Sequence, residues 1–502
     1  MKKIALCFLL ISAMIPVAAQ DELLSIKQVV SLALKNDTTV IKSAQTLNSS
    51  LNEYKSLQAG KYPQLNFSTS YGVDYTSKKQ DIGSYGIDEF EKYTLHSVTL
   101  GFSLDQLVPT YGTLSAGISN AMTVRKGRWN ALETDPFFSQ GPSFSLAFSQ
   151  PVFFNGKIMD MELYGATFRK GEIGYQSAAE GNRISKNRAV YGAVSLLFDL
   201  VNLQNEIKKI EKAMELKKRA IDNLQGKFEK GLVAETQVWE MKVELGKEKE
   251  YLLANIYAIR EKQGQLKLAL GIAQDKSIMP DENLLQPELR FEEPGSPQEL
   301  YRNNPAIRQT ELAAEDARLN RIIDGANDAS TLTLSFTVSP RYPFIRQLEP
   351  DATFEESFMD FADEMAGYDL GIKTELKVPL YNGAKWKHKV AADRATELSL
   401  QQEAAYQKSN LLQALRMLLL RRENLQERIL LLEDNIKLKK KQAEVGRALV
   451  EVGQIAELDV IEIEIEYFVK ENELEKAKMD LYLTTLDILS LMGRDLGEVI
   501  VG

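Results

Sequence analysis

The stretch Gly231-Leu232-Val233-Ala234-Glu235-Thr236-Gln237-Val238 returns 222 positions later as Gly453-Gln454-Ile455-Ala456-Glu457-Leu458-Asp459-Val460. Both follow the pattern Gly-x-(Val/Ile)-Ala-Glu-x-x-Val. Upstream, Leu196, Leu203, Ile207, Ile210, Met214 and Ile221 are matched at the same offset by Leu418, Leu425, Ile429, Leu432, Ile436 and Ala443. Downstream, Leu270-Gly271 is matched by Met492-Gly493. Agreement over this length predicts a duplicated chain, the first thing to settle before any fold is assigned.

Further upstream the order persists while the spacing changes. Phe154-Asn155-Gly156 follows Pro151, as Tyr381-Asn382-Gly383 follows Pro379. Lys35-Asn36-Asp37 corresponds to Arg302-Asn303-Asn304. The expected division is a signal peptide over 1–20, a first repeat over 21–273, a proline-rich strap over 274–296 and a second repeat over 297–502. The signal rests on Lys2 and Lys3, an apolar run over 4–16, and small residues at Val17-Ala18-Ala19. Removing it takes away Cys7, the one cysteine, and makes the net charge of −9 two units more negative. So acidic a chain argues against nucleic acid, whose binders concentrate basic residues.

Each repeat reads as a helix, strands, then two long helices: mainly α with membrane β. The first helix opens on Ser25…Gln28 in one copy and on Ser296…Glu299 in the other, the spacing of a capping box. Pro297 takes the first helical position, where a missing N–H costs nothing. After Leu196 the apolar spacing alternates four and three, the heptad of helices packed lengthwise. The 75 residues from Gly156 to Gly231 contain no proline. Unbroken, they would run about 110 Å at 1.5 Å per residue. Residues 64–75, 97–106, 112–121, 143–153, 331–339 and 369–380 alternate apolar with small or polar side chains. A membrane-barrel strand with a lipid face and a wet face shows that period; so does a half-buried soluble sheet. No apolar run after the signal is long enough for a membrane helix, which takes about 20 residues.

In this arrangement the chain resembles the TolC family of outer-membrane efflux and secretion ducts. The resemblance rests on Lys61-Tyr62-Pro63-Gln64-Leu65-Asn66 before the first strand and on the two Asn-Gly exits after Pro151 and Pro379. It also rests on the two Gly-x-(Val/Ile)-Ala-Glu turns and the helix ends at Gly271 and Gly493. It implies a homotrimer whose shared 12-strand β-barrel lies in outer-membrane lipid and continues as a periplasmic α-helical barrel. Its implied partners are a periplasmic adaptor and an inner-membrane pump of RND or ABC type. It further implies that Gly231, Leu232, Gly453 and Gln454 form tips touching the adaptor, and that Asp459 and Glu462 form acidic rings at the channel mouth. The tyrosine and arginine that latch the family's gate align with Val450 and Ile455, so that latch is missing. The family's barrel takes two strands from each repeat, whereas the first repeat here offers four candidates before Gly156, so residues 77–141 are expected to be a cell-surface insertion with an extra hairpin at 108–112. A barrel with more strands is the alternative.

No motif for chemistry is present. His96 and His388 lack metal-ligand spacing, and there is no phosphate-cradling glycine loop. The expectation is a passive duct, not an enzyme, with no cofactor; the competing expectation is a structural periplasmic coiled coil.

Overall fold

The computed structural model describes residues 22–81, 88–129, 132–133, 137–154, 157–158, 161–281, 284, 289–291, 293–327, 331–341, 367–377, 385–452, 454–455 and 457–501. The predicted signal lies outside them. Two compact units share the chain: residues 1–48, 176–312 and 401–502 form one, and residues 49–175 and 313–400 the other.

The first unit is helical. Strand β1 (Glu22–Leu24) leads into α1 (Ile26–Asn36). The Ser25 capping box is complete, with the Gln28 side chain returning a bond to the Ser25 N–H. Helix α2 (Thr38–Ala59) follows after Asp37, whose carboxylate accepts from the Thr39 and Val40 amides. The expected long helices are α3 (Met161–Glu229), of 69 residues, with α4 (Glu235–Leu270), and α7 (Lys385–Glu451), of 67 residues, with α8 (Glu457–Leu491). Helices α5 (Pro297–Asn303) and α6 (Pro305–Asn327) open the second half, and α9 (Leu496–Val501) closes it.

One core gathers Val29, Val30 and Ala33 of α1, Val194, Leu197 and Phe198 of α3, and Leu486 and Leu489 of α8, all essentially sealed from water. A second joins Leu300, Ile307, Leu411, Leu415 and Ile488. The strap is pinned rather than loose: β8 (Ile278–Pro280) pairs in parallel with β1. Arg422 also stacks over Phe291, 3.7 Å from the ring centroid.

The second unit holds one antiparallel sheet. Its spanning strands are β2 (Gln64–Asp81), β3 (Asp88–Leu107), β4 (Thr113–Trp129), β6 (Phe137–Phe154), β9 (Thr331–Arg341) and β10 (Gly367–Lys377), ordered β10-β9-β6-β4-β3-β2. The two-residue strands β5 (Leu132–Glu133) and β7 (Lys157–Ile158) pair at its margins.

Two expectations change here. First, within residues 77–141, β3 and β4 belong to the sheet, paired with each other along 17 residues of register. Six long strands are paired in this sheet, more than the four per chain that the resemblance implies. Second, the hairpin at 108–112 is not at the far end. Gln64, where β2 begins, faces Asp105, and the Gln106 side chain donates to the Lys61 carbonyl at 2.7 Å. Tyr111 packs with Leu163 of α3 and Ile323 of α6. A strand that goes out must come back before the next begins, so the second hairpin of a meander returns to the end where the first strand started.

Candidate functional site

The helical turns come first. Gly231 has φ +69°, a left-handed conformation open to glycine at little cost. Its N–H donates to the Phe228 carbonyl (2.8 Å) and that of Leu232 to Lys227 (2.9 Å), the paired bonds of a Schellman helix end. Leu232 is 70% exposed. At the other turn Gln454, also exposed, donates to the Leu449 carbonyl at 2.9 Å, the same span of chain. Gly453 lies outside the described residues.

Both turns lie at one end of the helical unit. The Asn472 side chain of α8 donates to the Asn205 carbonyl of α3, and Leu216 and Ala220 of α3 pack on Ile461 of α8. As the number rises along α3 it falls along α8. The helices are therefore antiparallel, and the end of α3 lies beside the start of α8.

The Ile-Glu alternation after the second turn is helical, as the repeat register required. Asp459 and Glu462 face water, with Val460 and Ile461 buried behind them. Glu466 is also on that side but pairs with Lys439 of α7. Glu464, with a side chain only 12% exposed, accepts from the Arg447 guanidinium at 2.5 Å. Nothing in the sequence marked which of these acids are paired; that depends on which α7 cation comes alongside. At this level α7 and α8 are close: a Cβ on Gly446 would meet the Val460 side chain at 3.1 Å.

The remaining helix faces are unusually greasy. Leu431, Leu438 and Val445 of α7, and Val452 just beyond its end, stand exposed at intervals of seven. Trp239, Val243, Leu253 and Tyr257 of α4 are exposed as well, at spacings of four, ten and four. A heptad stripe in water is a coiled-coil seam lacking its partner.

The sheet is two-faced. Leu65, Phe67, Tyr71 and Val73 of β2, Val98, Leu100 and Phe102 of β3, Ile118 of β4, Leu146 of β6, Phe336 of β9 and Leu370 and Ile372 of β10 share one face. All are exposed. The register line Gln64, Asp105, Ser115, Ala147, Thr337, Gly371 crosses all six strands on the other face. There, glycines stand against hydroxyls: a Cβ on Gly101 would lie 3.0 Å from the Ser68 Oγ, and one on Gly117 3.1 Å from the Ser145 Oγ. From Leu65 to Tyr75 the apolar face covers ten steps of about 3.3 Å along the strand. A tilt of about 40° would project that to roughly 25 Å, the height of a membrane barrel's apolar band. Within that band the Tyr71 hydroxyl is hydrogen-bonded with His96 Nδ1 at 2.9 Å.

Among the described residues no helix is long and apolar enough to cross a membrane, and no group of three or more His, Cys, Asp or Glu is placed to hold a metal ion. No protein-family model matches the chain, and no curated protein matches it in sequence. Solved structures do. The outer membrane protein VceC of Vibrio cholerae is similar over 93% of this chain and 96% of its own, at TM-score 0.62 and 13% identity. CusC, solved in a study of folding and transmembrane channel formation, is similar over 96% of both chains, at TM-score 0.60 and 13% identity. The CmeC outer membrane channel of Campylobacter jejuni is similar over 93% of this chain and 85% of its own, at TM-score 0.61 and 12% identity.

The chain has the TolC-type outer-membrane channel fold. At this identity the likeness is one of backbone course, not of residues. Among the described residues, both the sheet and the helical hairpins carry exposed apolar side chains.

Proposed function

We propose that this protein is the outer-membrane channel of an efflux or secretion machine, a passive duct built by three copies of the chain. An adaptor in the periplasm and an inner-membrane pump of RND or ABC type would hand it its substrates. The observation that carries this reading is the sheet. Its exposed leucine and phenylalanine face suits lipid, while its serine, threonine and glycine face suits a water-filled bore. The exposed heptad stripe of α7 and the exposed apolar residues of α4 suit neighbouring copies. A structural coiled coil would use the stripes and leave the two-faced sheet without purpose.

In this reading the turns at Gly231-Leu232 and Gly453-Gln454 meet the adaptor, and Asp459 and Glu462 ring the periplasmic mouth. The test is fractionation followed by reconstitution. The protein should sediment with the outer membrane, run as a trimer in mild detergent and conduct ions across planar bilayers. A monodisperse folded monomer, or a trimer left in the soluble periplasmic fraction, overturns the proposal.

A further inference from the structure

Resting on that reading, we infer that the pore wall in the membrane has eighteen strands, six from each of three copies, closed by β2 of one copy against β10 of the next. The spanning strands of the sheet are six, and each carries the same alternation in register. β3 and β4 are not decoration on a four-strand wall. Their apolar positions, Leu100, Phe102, Leu104, Leu114 and Ile118, are exposed on the same face as those of β2 and β10. Stretched over a cell surface, such residues would have no reason to alternate with Ser97, Thr99, Gly101, Ser103, Ser115, Gly117 and Ser119.

Three further facts support closure. Among the described residues β2 and β10 are each paired on one edge only. An open edge in hydrocarbon leaves N–H and C=O groups unsatisfied, at several kcal/mol each. Six strands alternate in direction, so β10 runs opposite to β2, and a second copy continues the antiparallel order without a mismatch. Finally, β9 and β10, with 11 residues each, are just long enough for a tilted crossing, which takes about 9–11. Barrel diameter grows roughly linearly with strand number, so eighteen strands give a bore about one and a half times that of twelve.

The experiment is a cysteine scan of the membrane-reconstituted trimer. Apart from Cys7 in the predicted signal, the sequence has no cysteine to interfere. Spin labels at 97–104 and 114–119 should alternate: even positions reached by oxygen dissolved in lipid, odd positions reached several-fold better by a water-soluble nickel chelate. In parallel, cysteine pairs combining Ser68, Ser70 or Gly72 with Gly371, Lys373 or Glu375 should include at least one that oxidises to a covalent trimer. Uniform access of the nickel chelate along β3 and β4, in a trimer that still conducts, overturns the eighteen-strand wall and leaves the channel proposal standing. Alternation without any β2–β10 cross-link overturns the closure. Absence of a membrane trimer overturns the channel proposal itself.

Discussion

The Asn36 side-chain amide donates to the Leu270 carbonyl at 2.8 Å, and a Cβ on the next residue, Gly271, would lie 2.7 Å from the Asn36 Cβ. The end of the first helix is thus locked onto the end of the returning hairpin. The second half repeats the device: Asn304 donates to the Leu491 carbonyl at 3.0 Å, and Gly493, at φ +76°, is crowded by Asn303.

Gly271 is therefore expected to tolerate no side chain. Gly271→Ala should destabilise by at least about 1–2 kcal/mol, from the left-handed backbone alone, with the Asn36 contact adding to it. Gly192→Ala, in mid-helix with open space around it, should stabilise by roughly 0.5–1 kcal/mol. Thermal unfolding of both variants checks the contrast; equal shifts would contradict it.

Topology gives a second prediction. A protease site inserted between Asp81 and Asp88 should be cut in intact cells. One inserted between Val108 and Gly112 should survive until the outer membrane is opened. The opposite pattern would reverse the direction of the sheet.

The exposed acids give a third. In a narrow neck shared by three copies, Asp459 and Glu462 focus negative potential and favour cations. Asp459→Asn with Glu462→Gln should lower cation preference in single-channel recordings, most clearly at low salt, where the Debye length exceeds the ~8 Å of physiological ionic strength. Unchanged selectivity at low salt would place both residues on an outer face.

Asp393 gives a pH dependence. Burial, and then the negative charge of Asp324, raise its pKa above the ordinary carboxylate value of 3.8. The ionised form is thus disfavoured in the folded state, and its contribution to stability falls as pH rises from that ordinary value through the raised one. Asp393→Asn should raise the unfolding temperature at pH 7, and the advantage should vanish below the carboxylate range. An advantage independent of pH would point to packing instead.

Much of this was legible in the residues because it is local. Ser25 and Gln28 cap a helix three positions apart, Gly231 ends one by its own conformational freedom, and period-two alternation marks strands wherever they pair. The repeat offset even overruled the strand-like Ile-Glu run after Asp459. The sequence by itself therefore determined the helices, their turns and the two faces of each strand. Only the tertiary structure decided that β3 and β4 are full members of the sheet, that 108–112 turns at the helix end, and that the strap pairs with β1. It also decided that Glu464 is paired with Arg447 while Asp459 faces water. Each of these depends on which distant segment comes alongside, and strand pairing and interhelical contacts are long-range choices that no local pattern encodes.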